Sequence, residues 1–378
     1  MRLFQPFENA FPPFQPDSEP VPPKALGAFM RWALWEFRWI ILLFTVATVG
    51  FGFLDVWAAW YLGALVDMAA ESGREAFLAE NFWPLIGAAL IFGLARPFAY
   101  ALQSAMMSLA IGPNLGPRLL WRLHQHTLGQ SLSFFEDDFA GRLASKQMQT
   151  FAAVIDAMLD TIGSIGLLLA YVIGMVAVLA AVDWRLAMVT AIWVAVYVVW
   201  VAYCMPRIRQ ASKERAEKRA AVNGRFVDSF TNMSTVKLFA HAGREEAFAR
   251  EGLTEFREAT LVFGRIAVTM RLGLAFLNAL GALLIIGLAV WLWLIGSATI
   301  GDLGAAAALI LRATQMSGWV AWSALGVFSN IGVVEDGAAT LSVPHEISNR
   351  SDAIALPVAR HIRIWPRHWR RPRPRSGH

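Results

Sequence analysis

CMPRIRQASKERAEKRAAVNGRFVDSFTNMSTVKLFAHAGREEAFAREGLTEFREATLVFGRIAVTMR, residues 204–271, is a polar run set between two long apolar segments. It carries Arg207, Arg209, Lys213, Arg215, Lys218, Arg219, Arg225, Lys237, Arg244, Arg250, Arg257 and Arg265, and glycine and proline are sparse in it. The run therefore reads as long helices that continue the flanking segments out of a membrane. At ~1.5 Å per residue, 206–221 alone would reach about 24 Å. A turn near Asn223–Gly224 or Asn232–Met233 would send the chain back along 245–263, with Glu214 and Lys218 supporting the outgoing helix as an i, i+4 pair. A stiff hairpin of this length suits the transmission of movement from its tip to the spans; the alternative is a solvated hairpin with no partner.

The rest of the chain agrees with a membrane setting. Hydrophobic residues make up 57% and charged residues 16% of the sequence, and mean hydropathy is +0.48, too apolar for a soluble domain. The 16 tryptophans suit the headgroup level. A span needs about 20 mostly apolar residues, and six stretches qualify: 39–64, 84–111, 161–182, 186–205, 272–295 and 303–330. The last is interrupted by Arg312, Gln315 and Ser317. The expected fold is all-α, a six-span membrane protein with long cytoplasmic helical extensions.

Orientation follows from the basic residues of the short loops. The 65–83 loop holds Arg74 against Asp67, Glu71, Glu75 and Glu80, and the other two turns of that side add Arg185. The 112–160 loop holds Arg118, Arg122, Arg142 and Lys146, and 206–271 holds the residues named above. Both long loops and both termini are thus expected in the cytoplasm. The net charge of +5 reflects this asymmetry, and no nucleic-acid partner is expected.

Residues 1–24 read as a disordered tail without the apolar core of a secretory signal. From 25 to 39, Trp32, Trp35 and Trp39 are expected to share a face, with Arg31 and Arg38 beside them, on a short helix in the inner interface. Cys204 is the single cysteine, which excludes an internal disulfide. His124, His126 and His241 read as surface residues of cytoplasmic helices, with no pattern that completes a metal site.

Ionisable groups inside spans are costly and face a cavity or a partner. Asp55, Arg96 and Arg312 lie at one level, roughly 14–18 Å from the outer ends of their spans at ~1.5 Å per residue. Asp55 is expected to reach one arginine well. Gln103, Asn278 and Gln315 add uncharged polarity. Two readings stand side by side: a substrate cavity with one uncompensated positive charge, favouring amphipathic substrates with an anionic group, or a structural Asp55–Arg96 pair with Arg312 snorkelling outward.

Four segments in order resemble the transmembrane half of ABC exporters of the six-span type. Ser133-Phe134-Phe135-Glu136-Asp137-Asp138-Phe139-Ala140-Gly141-Arg142-Leu143 is similar to the family's stretch leading into a first coupling helix. Ser234-Thr235-Val236-Lys237-Leu238-Phe239, followed by Glu245, Glu246 and Phe248, is similar to the segment after the second. Gly296-Ser297-Ala298-Thr299-Ile300-Gly301-Asp302 resembles the outer turn before the sixth span. Val343-Pro344-His345-Glu346-Ile347 to Leu356-Pro357-Val358-Ala359 resembles the linker toward an ATPase domain.

The resemblance implies a multidrug- or lipid-exporter type of transmembrane domain over 25–340, a linker over 341–359 and a homodimer or heterodimer in a bacterial inner (plasma) membrane. The fourth and fifth spans would cross to the other subunit. Contacts with the ATPase would fall on Phe135, Glu136, Asp137, Gly141 and Arg142 in the first loop, and on Phe226, Asp228 and Val236 in the second. ATP and Mg would enter only through an ATPase domain, because the five lysines (24, 146, 213, 218 and 237) give no G-x-x-x-x-G-K-[ST] phosphate loop. No catalytic residue, metal or cofactor of its own is expected in the chain. The Arg/Pro/Trp/His-biased tail at 360–378 cannot build a core. It raises the expectation of a frame change or truncation after the linker, against a genuine basic tail held by anionic lipid. Two further readings remain: a nonfunctional fragment, and an unrelated secondary transporter, for which Asp55 is the one candidate coupling carboxylate.

Overall fold

The computed structural model describes residues 4–9, 11, 12, 14, 21–136, 140–238 and 242–345. The chain is helical throughout these residues. A short helix α1, Leu26–Leu34, precedes six long ones: α2, Arg38–Glu80; α3, Phe82–Leu128; α4, Gly141–Val182; α5, Trp184–Thr231; α6, Ala242–Leu294; and α7, Ile300–Leu341. All six are long and apolar enough to cross a membrane, and the chain is a multi-pass membrane protein.

Local chemistry sets the turns. Gly73 has φ 66°, a conformation costly for any residue with a Cβ, and it bends α2 without ending it. Helix therefore replaces most of the 65–83 loop expected from sequence. The Asp183 side chain accepts from the Arg185 amide at 2.7 Å and caps α5. Gly296, at φ 74°, closes α6, and Thr299 and Asp302 form a reciprocal capping box that opens α7.

Inside the membrane zone, Phe51 and Val56 of α2, Tyr171 and Met175 of α4, Trp193 of α5, Ile285 and Leu292 of α6, and Leu309 and Ile310 of α7 form the main core. A second core ties α1 to the bundle: Phe29 and Trp32 pack on Leu119, Leu123, Val154, Val334 and Leu341. Burying a side chain such as Phe29 contributes about 1.5–3 kcal/mol. Trp32 is therefore an interior residue, whereas Trp35 and Trp39 are exposed and flank Arg38, whose guanidinium lies 4.8 and 5.8 Å from their rings. The three tryptophans do not share one environment, because a 3-10 turn at Trp35–Phe37 rotates the chain before α2. The N-terminal residues expected to be disordered include a helical turn, Gln5–Glu8. The Glu8 carbonyl accepts from Asn114 at 3.2 Å, and Phe11 packs 4.5 Å from Phe37.

The polar run forms the far halves of α5 and α6. α5 continues through Asn223–Gly224 to Thr231, and the reversal falls at Asn232. The stretch 206–231 spans about 39 Å at ~1.5 Å per residue, well beyond the reach expected from 206–221. Lys218 pairs across the hairpin with Glu255 at 2.7 Å rather than along its own helix with Glu214, which accepts from Gln210. Arg225 adds a bond to the Phe248 carbonyl at 2.8 Å, and Ser229 donates to Glu245 at 2.7 Å.

Candidate functional site

Three polar places lie within or beside the spans. The first is built on Asp55, whose side chain is 4% exposed. Pro97 lacks an N–H and its ring crowds the carbonyl four residues back, so α3 opens into a π-type turn over Ile91–Ala95 immediately before Arg96. Arg96 Nη2 lies 2.5 Å from Asp55 Oδ1. From α7, Arg312 Nε donates to Asp55 Oδ2 at 2.9 Å. One carboxylate thus holds both guanidiniums, where the sequence reading allowed it one and the alternative sent Arg312 outward. Depth alone located the three residues, but lateral approach of α2, α3 and α7 decided the pairing. Both arginine side chains remain 38% exposed, and the trio carries a net charge of +1. Tyr171, buried beside it, donates to the Leu309 carbonyl at 3.1 Å.

The second place is a groove of about 380 Å³ between α6 and α7, lined in part by Met270, Arg271, Asn278, Gln315, Trp319 and Trp322. Asn278 Nδ2 donates to Ser317 Oγ at 2.7 Å, while its Oδ1 is buried with no hydrogen-bond partner among the described residues. Arg271 sits 4.9 Å over the Trp322 ring and forms part of the groove wall. Its involvement was legible only as an arginine near a span end. Gln103 stands apart from both places and donates to Thr48 at 3.3 Å. The six polar residues grouped by sequence therefore divide into the Asp55 trio, a groove pair and a separate interhelical contact.

The third place comprises the two tips. Between α3 and α4, a short helix at Leu132–Glu136 presents exposed Phe135 and Glu136, and exposed Gly141 and Arg142 lie at the start of α4. Asp137 lies outside the described residues. Between α5 and α6, Phe226 and Val236 are partly buried and Asp228 is exposed. The Asp228 carbonyl accepts from the Asn232 amide at 3.0 Å, and Phe226 packs 6.4 Å from Phe230. Phe239 and His241 lie outside the described residues.

A clamp not anticipated from sequence joins the first tip to the segment after α7. His126, expected on the surface, is 4% exposed and stacks on His345 with centroids 4.5 Å apart. Its Nε2 lies 3.0 Å from the Val343 carbonyl, which also accepts from Gln130 at 2.8 Å. His345 Nε2 lies 2.8 Å from the His126 carbonyl. Helical periodicity could have placed His126 on the face of Leu119 and Leu123, but its partner is more than two hundred positions away. Of the linker expected over 341–359, residues 346–359 lie outside the described residues.

Comparison with known proteins accords with this architecture. The family model for the ABC transporter transmembrane region matches residues 40–317. An uncharacterized ABC transporter ATP-binding protein of Haemophilus influenzae is 30% identical over 357 residues, which cover 94% of this chain and 58% of that protein. The chain thus spans somewhat more than half the length of that curated relative.

Proposed function

The chain belongs to the ABC transporter transmembrane family, and from that premise we propose that it is the permease part of an ATP-driven exporter of hydrophobic or amphipathic molecules. ABC transmembrane domains work with ATPase domains, and here that engine is supplied from outside these 378 residues. ATP and Mg act there, and the chain converts closure of the engine into alternating access.

One observation supports the reading above the others: the hairpin of α5 and α6, carried far past the apolar zone and braced across its length by Lys218–Glu255 and by Arg225. A braced hairpin moves as a lever, so displacement at Asn232–Val236 reaches the groove-lining residues at Met270–Asn278. The two tips are the surfaces offered to the ATPase, the bundle works as a dimer, and the basic tips and both termini face the cytoplasm of a bacterial inner membrane. The test is co-expression of the full chain with a candidate ATPase chain, co-purification, and ATP hydrolysis in the presence of amphipathic compounds. Stimulated hydrolysis that disappears on Phe226→Ala supports coupling. Failure of every co-expressed ATPase to associate would count against it.

A further inference from the structure

We propose that Arg96 and Arg312 read the anionic head of the transported molecule, a small single-tailed amphiphile whose apolar part lies along the α7 stripe of Gln315, Trp319 and Trp322. This deepens, and rests on, the reading of the chain as a permease.

Asp55 neutralises one guanidinium's worth of charge and leaves a unit positive charge on two side chains tied to the same carboxylate. Each arginine uses one nitrogen on Asp55. No other side chain among the described residues hydrogen-bonds or ion-pairs with either. The remaining N–H donors are therefore available at the partly exposed edge of both groups. A net charge at this depth in hydrocarbon is expensive, and guanidinium forks bind carboxylates and related oxyanions with paired hydrogen bonds.

The second component is the surface beside the charge. Arg312, Gln315, Trp319 and Trp322 recur at helical spacing and occupy one face of α7. Trp319 is 50% and Trp322 40% exposed, and both line the groove against α6. From Arg312 to Trp322 the face runs about 15 Å at ~1.5 Å per residue. A cationic end, the Gln315 amide one turn along and an aromatic track together fit an anion with one tail.

The test uses the full chain in phosphatidylcholine nanodiscs with radiolabelled laurate and dodecyltrimethylammonium as matched probes. Saturable laurate binding is expected, with none for the cation. Arg312→Gln and Arg96→Gln should each weaken laurate by on the order of tenfold, with Arg312→Lys intermediate. Asp55→Asn removes the competing carboxylate and should leave laurate binding equal or tighter. Equal losses in Asp55→Asn and Arg312→Gln, in protein with unchanged melting, would show a structural trio and overturn the proposal, as would equal binding of both probes. Displacement of laurate by phosphatidylglycerol in the disc would make a bilayer lipid the occupant and overturn the assignment to a small amphiphile. No ATPase is involved in this experiment, so its failure leaves the permease reading standing. A failed coupling experiment likewise leaves the anion site to be judged separately.

Discussion

Asp67, in the C-terminal half of α2, holds the start of α7 at Gly301, whose amide donates to Oδ1 at 2.6 Å. Thr299 donates to the other carboxylate oxygen, also at 2.6 Å. The two helices meet at glycines: a Cβ on Gly63 would lie 2.4 Å from the Gly301 carbonyl. Asp67→Ala should therefore free the first turn of α7 and lower stability by about 1–2 kcal/mol, the usual cost of a lost cap. Thermal unfolding of the purified chain measures this, and a melting temperature equal to wild type would contradict it.

A second prediction concerns the seating of α1. Arg118 is 1% exposed and makes two bonds to Glu36, each 2.9 Å. Glu36→Ala removes the carboxylate from a buried guanidinium and should cost about 1–3 kcal/mol, less than a fully buried pair because Glu36 itself is partly exposed. Glu36→Leu combined with Arg118→Met should recover much of the loss. A double mutant no better than Glu36→Ala would show that packing, not loss of the ion pair, dominates there.

The α5–α6 pair depends on missing side chains. Trp193 donates to the Leu277 carbonyl at 2.9 Å, and its ring occupies the place where a Cβ on Gly281 would lie, 2.2 Å away. Trp200 does the same over Gly273, donating to the Met270 carbonyl at 3.2 Å. Gly281→Ala should overpack the contact and cost about 1–3 kcal/mol. The tryptophan emission should shift to the red as the indole is displaced. Unchanged emission and melting would refute the contact.

The α5–α6 hairpin has a pH signature. A hydrogen bond from Lys218, and then its charge, hold the Glu255 carboxyl below the usual carboxylate range. The hydrogen bond to Glu255, and then its charge, push Lys218 up. A depressed carboxylate contributes above its unfolded value and loses that contribution as pH falls through the folded one. The raised lysine contributes below its unfolded value and loses it as pH rises through the folded one. The brace should therefore persist through neutral pH and loosen only below the ordinary glutamate range and above the ordinary lysine range. Spin labels at positions 217 and 258 would report this as a broadened distance distribution at both extremes. Lys218→Met should remove the alkaline limb and shrink the acid one, because Arg225 still faces Glu255 at 3.5 Å; an unchanged alkaline limb would show that other groups govern it.

Much of the membrane architecture was legible because it is one-dimensional. A run of about 20 apolar residues spans the bilayer whatever its neighbours are. Candidate polar residues could be found the same way, since a charge in an apolar run stands out in any register. Pairings were not legible. Lys218 had an acidic neighbour four residues back and still chose Glu255 on another helix. His126 looked like a surface residue until Val343 and His345 came to cover it. Helix interruptions followed the same rule: Asn223–Gly224 is a good breaker locally, but the packed hairpin carries helix through it.

Sequence alone determined that this chain is a set of long apolar helices with basic ends on one side, because hydropathy and charge are summed along the chain. Tertiary structure alone decided that Asp55 is shared by Arg96 and Arg312, that Arg271 walls a groove, and that two histidines clamp the segment after α7. Those facts depend on which helical faces meet, a distance in space between residues far apart in sequence. Composition and period do not encode it.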